Sequence, residues 1–105
     1  MSRAALLALG LLLSACSVEQ VQTEVTRKAA RSVVLNVVAT TTPAPASEIA
    51  TDCIIANATN AELNDLARDV GTRAGTVTLD NVRLVASKPE TRACIAGKGL
   101  APLTL

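Results

Sequence analysis

The chain has no Phe, Tyr, Trp or His. Without an imidazole there is no general base titrating near neutral pH, no His partner for a Ser or Cys nucleophile, and no imidazole ligand for zinc. Without rings there is no platform for stacking single-stranded nucleic acid and no aromatic cage for an ammonium ligand. Charge of one sign is also missing. Ten Lys and Arg against nine Asp and Glu leave a formal charge of +1, so no single-sign field points to nucleic acid or to an anionic membrane surface. What the 105 residues hold instead is a hydrophobic fraction of 50% without a single ring. Any core is therefore built from Val, Leu, Ile and Ala, and one small domain is expected.

The hydrophobic residues are unevenly placed. Met1, Ser2 and Arg3 form a short positive start, and Ala4 to Leu13 is apolar except for Gly10. This stretch is too short to span a bilayer, which needs roughly 20 apolar residues, and it reads as the apolar region of an export signal. The next four residues, Leu13-Ser14-Ala15-Cys16, resemble the lipobox of bacterial lipoproteins: an apolar residue, two small residues, then Cys. In that family, the resemblance implies, the Cys thiol receives a diacylglyceryl group, the signal is cut just before it, and the new amino terminus is often acylated. A palmitate-type anchor of this kind holds stably, because its acyl chains exceed the single chain that binds only marginally. The expected product is residues 16–105, periplasm-facing and membrane-anchored through Cys16, with residues 1–15 removed as signal peptide. A plain secretory cut after Ala15, leaving Cys16 as a free thiol, is the competing reading. Position 17 is Ser rather than the Asp that commonly marks inner-membrane retention in the family, so the resemblance favours the outer membrane.

Assigning Cys16 to lipid leaves Cys53 and Cys94, an even pair in an oxidising compartment, where a disulfide is the expected state. Such a bridge closes about 42 residues, and loop-closure entropy assigns it roughly 4 kcal/mol, comparable to the whole stability of a domain this small. A redox-active dithiol would need two cysteines close in sequence with a lowered pKa, and no CxxC is present. Two cysteines without His do not make a zinc site.

Along residues 16–39 the apolar positions Val18, Val21, Val25, Ala29, Val33 and Val37 recur every three or four, the pattern of an amphipathic helix. The β-branched run toward Val38 weakens that pattern near its end. Residues 40–46, Thr40-Thr41-Thr42-Pro43-Ala44-Pro45-Ala46, break the helix and read as an extended linker. Either the first helix tethers a separate module over residues 47–105, or it packs into the same core. Within 47–105, Ser47 can cap a helix that carries Cys53. Thr59-Asn60-Ala61-Glu62 reads as a capping box opening a stripe of Leu63, Leu66, Ala67 and Val70 closed by Gly71. Ser87-Lys88-Pro89-Glu90 matches a second capping box, ahead of a helix with Cys94 and Ile95 that stops at Gly97. Residues 76–85 read two ways. A hairpin turning at Asp80-Asn81 would pair Leu79 with Val82 and Val77 with Leu84, whereas a helix would align Leu79, Val82, Val85 and Ala86.

The stretches Thr51-Asp52-Cys53-Ile54-Ile55-Ala56-Asn57-Ala58-Thr59 and Lys88-Pro89-Glu90-Thr91-Arg92-Ala93-Cys94-Ile95 resemble a group of short exported alphaproteobacterial proteins. Their shared pattern is TDCIIDNA, an amphipathic segment, then RPET before a second Cys. This chain departs from it in Ala56 for Asp and Lys88 for Arg. The resemblance implies a helix at 76–85, and hence an all-α module stapled by one disulfide, with α+β as the alternative. Some members carry a succinate dehydrogenase label, but no dinucleotide loop, flavin-anchoring His or Cys cluster is present here. Asp52, Glu62, Asp65, Asp69, Asp80 and Glu90 lack EF-hand spacing and fit helix faces and caps. The expectation is a non-enzymatic envelope lipoprotein that works by contact with another envelope protein, without cofactor, metal or nucleic acid. Its competitor is an accessory or redox-linked component of an envelope enzyme.

Overall fold

A computed structural model describes residues 22–71 and 75–105. All regular structure among them is helical, so the protein is all-α. The helices are α1 over 22–38 as far as described, α2 Ala46–Ala56, α3 Asn60–Ala67, α4 Thr76–Ala86 and α5 Pro89–Gly97. The signal segment, the lipobox with Cys16, Val18 and Val21 lie outside the described residues.

In α1 the buried positions are Ala30, Val33, Val34, Val37 and Val38, a stripe of helical period. Valine is a mediocre helix former, yet burial of such a side chain is worth roughly 1.5–3 kcal/mol, several times its propensity deficit. Packing therefore carries the helix through Val38. These five residues belong to the same core as Ala50, Cys53, Ile54, Leu63, Leu66, Val82, Val85 and Ile95.

Residues 40–46, expected to run extended, instead form a close corner. The Thr41 and Thr42 amides donate to the Val38 carbonyl at 3.2 and 3.0 Å, and the Thr40 hydroxyl donates to the Val37 carbonyl at 2.6 Å. The last carbonyls of α1 are thereby satisfied locally. The Ala44-Pro45 peptide is cis, and Pro45 occupies the N-cap of α2. Ser47, expected as the cap, is the second residue of the helix and is buried. Arg31 Nε meets Asp52 Oδ1 at 2.8 Å across the α1–α2 corner, a half-exposed pair worth at most about 1 kcal/mol.

The capping box of α3 forms as expected. Glu62 N donates to Thr59 Oγ1 at 3.2 Å, and Thr59 N donates to Glu62 Oε1 at 2.8 Å. Leu63 and Leu66 are buried, but the helix ends at Ala67. Val70, expected on the stripe, falls in the turn that follows and is 48% exposed, and Gly71 takes φ +78° beside it.

Residues 76–85 are helix, not hairpin. Val82 and Val85 are buried, and Leu79 and Ala86 pack against the core, while Val77 and Leu84, which a hairpin would bury together, are 72% and 58% exposed. Thr78 Oγ1 donates to Asp69 Oδ2 at 2.7 Å and fastens the start of α4 to the turn after α3.

At α5 the second capping box does not form. Pro89 takes the first helical position, where its missing N–H costs nothing, and its ring forces the preceding residue out of the helical region. Lys88 is therefore the N-cap, extended at φ −61° and ψ 140°, and the Ser87 hydroxyl donates backward to the Leu84 carbonyl at 3.0 Å. Helix α2 packs on α5 and α3 on α4, with α4 also touching α2 and α5.

Candidate functional site

The two cysteines left after Cys16 meet. Cys53 of α2 and Cys94 of α5 form a disulfide with a Cα–Cα distance of 5.7 Å, Cys53 buried and Cys94 half-buried. Thr51 and Thr91 lie on the same two helices, fully buried, with hydroxyls that have no partner among the described residues.

A second link joins the start of α3 to the start of α5. Lys88 Nζ contacts Glu62 Oε1 at 2.5 Å and the Asn57 carbonyl at 3.1 Å. Burial pushes the Glu62 carboxyl up, but the Lys88 ammonium and the Thr59 amide and hydroxyl outweigh it, and the group lies below its ordinary value. A depressed carboxyl adds stability above its unfolded value and loses it as pH falls through the folded one. The Glu62 contribution is therefore complete at neutral pH and fades below about pH 4.5. Glu62→Gln keeps the capping acceptor and loses the charge. It should cost about 1 kcal/mol at pH 7 and flatten the acid limb of urea midpoints recorded from neutral to acidic pH. A variant with an unchanged acid limb would remove Glu62 from that role.

The other acidic side chains have separate employment. Asp65 pairs with Arg68 at 3.6 Å and Asp80 with Arg83 at 3.8 Å, both exposed, and Glu90 lies in the first turn of α5. Among the described residues no three Cys, Asp or Glu gather as a metal-holding group, and no helix is long and apolar enough to cross a membrane.

Among the described residues, an apolar cleft forms where the chain leaves α5. Lys98 is the C-cap, and Gly99 follows with φ +77°. Its amide donates to the Ala96 carbonyl at 3.0 Å, and the Leu100 amide donates to the Ile95 carbonyl at 3.3 Å. These are the two bonds of a Schellman motif, which turns the chain back and sets Leu100 near Ile95. The tail from Leu100 then runs beside α4 and α5, with Leu100, Leu103 and Leu105 packed against the core. Between them lies a cleft of about 700 Å³. Helix α4 contributes Arg83 and Ala86 to it, α5 contributes Arg92, Ile95 and Ala96, and the tail contributes Leu100 and Leu103. Arg83 Nε also donates to the Leu105 main-chain oxygen at 3.1 Å.

The tail depends on one backbone conformation. A Cβ at position 99 meets nothing within 4 Å, so an L residue there suffers only from its positive φ. Gly99→Ala should lower stability by about 1 kcal/mol and the melting midpoint by roughly 5 °C, with D-alanine at the same position restoring both. Equal melting of the L and D forms would show that the turn is not held as described.

Sequence reasoning places Cys53 and Cys94 correctly as partners. It does not place Arg83 and Arg92 together, because the cleft exists only once the aperiodic tail folds back, and Gly99 is the only local signal of that return. No family model, curated protein or solved structure matches the chain.

Proposed function

We propose that this protein is a non-enzymatic lipoprotein of the bacterial cell envelope, anchored through lipid on Cys16 and acting by contact with another envelope protein. The observation that carries the reading is Leu13-Ser14-Ala15-Cys16 directly after a short positive start and an apolar run. The Cys53–Cys94 bridge supports it, because a structural disulfide belongs in an oxidising compartment and accounts for the remaining cysteines. Ser17 favours the outer membrane by the same resemblance.

The test is the intact mass of protein extracted from membranes. The expected species starts at Cys16 and carries added lipid, and Cys16→Ser abolishes both the added mass and the membrane association. Protein that retains Met1, or that lacks lipid, overturns the reading. Crosslinking on intact cells, followed by identification of the attached proteins, then names the partner.

A further inference from the structure

We infer that the cleft between α4, α5 and the C-terminal tail is a binding site for a long-chain fatty acid. Its volume of about 700 Å³ falls in the range of small-molecule sites, roughly 300–1,000 Å³. Apart from Ser87 and the two arginines the walls are Ala, Ile, Leu and Pro with no aromatic ring, so they offer no π face for a planar ligand to stack on and suit a flexible alkyl chain. The charged side chains that line it are two arginines, Arg83 and Arg92, and the charge of Arg83 is offset locally by the Leu105 main-chain oxygen and by Asp80.

The two guanidinium groups differ in readiness. Arg83 is engaged by the Leu105 main-chain oxygen and, on its own helix, by Asp80. Arg92 is exposed and has no side-chain partner among the described residues. A planar guanidinium beside an apolar cavity matches a planar carboxylate joined to an alkyl chain, since it can donate two parallel hydrogen bonds. Arg92 is thus the head-group contact, while Arg83 holds the end of the tail at the same opening. The site is separate from the lipid proposed on Cys16, which is covalent and lies at the other end of the chain.

The experiment uses the full chain in a nonionic detergent with a photoactivatable hexadecanoic acid bearing its diazirine near the methyl end. Labelling is expected within residues 93–105, and palmitate should compete for it about tenfold better than hexadecanol. Arg92→Gln is expected to weaken that competition about tenfold, the effect of one charge-assisted contact. Ala96→Glu, at an exposed position in the cleft, is expected to abolish labelling without altering the helical melt. Cys16→Ser should label as the parent does. Label spread over α1 and α3, equal competition by acid and alcohol, or full labelling of Ala96→Glu would each overturn the proposal. So would labelling seen only in Cys16→Ser, since the protein's own acyl chain would then fill the cleft. Concentration-dependent dimers that exclude the probe would also overturn it, with a second copy as the occupant.

Discussion

Replacing both bridge cysteines, Cys53→Ala together with Cys94→Ala, is expected to lower the unfolding free energy by about 4 kcal/mol and the melting midpoint by roughly 20 °C. The bridge spans 41 positions and ties α2 to α5, so its loss frees the whole segment between them in the unfolded ensemble. The core has little to offer in exchange. Its largest fully buried side chains are Ile54, Leu63 and Leu66, and a domain of this size commonly holds only about 5–15 kcal/mol in total. Far-UV circular dichroism follows the transition, and a double variant that melts within about 5 °C of the parent would deny the bridge its structural weight. Because Cys53 is 2% exposed and Cys94 packs half-buried against the core, mild dithiol should leave the bridge intact until the helices unfold. Reduction that precedes any loss of helix would point instead to a redox role.

A single charge on α1 should have an effect of similar size. Val38→Asp places a carboxylate at a position with no exposure, and an uncompensated buried charge costs about 4 kcal/mol. Val25→Asp, on the same helix but 62% exposed, should stay within about 0.5 kcal/mol of the parent. Urea unfolding of the two variants separates α1 as part of the core from α1 as an independent tether. In the second case α2 to α5 would unfold at the parental midpoint despite Val38→Asp.

The parts that could be read from sequence were those where one local rule had no competitor. Thr59 and Glu62 bond reciprocally because their spacing, and nothing else nearby, fixes the start of α3. The second capping box failed against a stronger rule, since Pro89 excludes Lys88 from the helix whatever Ser87 offers. Residues 76–85 fit periods of two and of 3.6 equally, and the buried faces of α4 decide between them through contacts that periodicity does not contain. In α1 the stripe was legible but its depth was not. Ala30, Val34 and Val38, each one residue past a position that marks the period, are buried most completely, because the face that meets the core is centred on that row. The cleft was hidden for a related reason. Gly97 and Gly99 both look like helix stops, and only the left-handed φ of Gly99 directs the tail back over α4 and α5.

The continuity of α1 has a mechanical consequence. Residues 22–28 are mostly exposed, residues 30–38 pack one face against the core, and no hinge or break separates the two stretches. Tension applied at the N-terminal side therefore travels along a stiff rod and reaches the core as shear distributed over Ala30, Val33, Val34, Val37 and Val38 together. Elements loaded in that way yield at higher force than elements peeled one contact at a time. Rotation of residues 22–28 likewise turns the domain with it, so the cleft keeps a fixed orientation to the start of the described helix, as on a lever and not a slack cord.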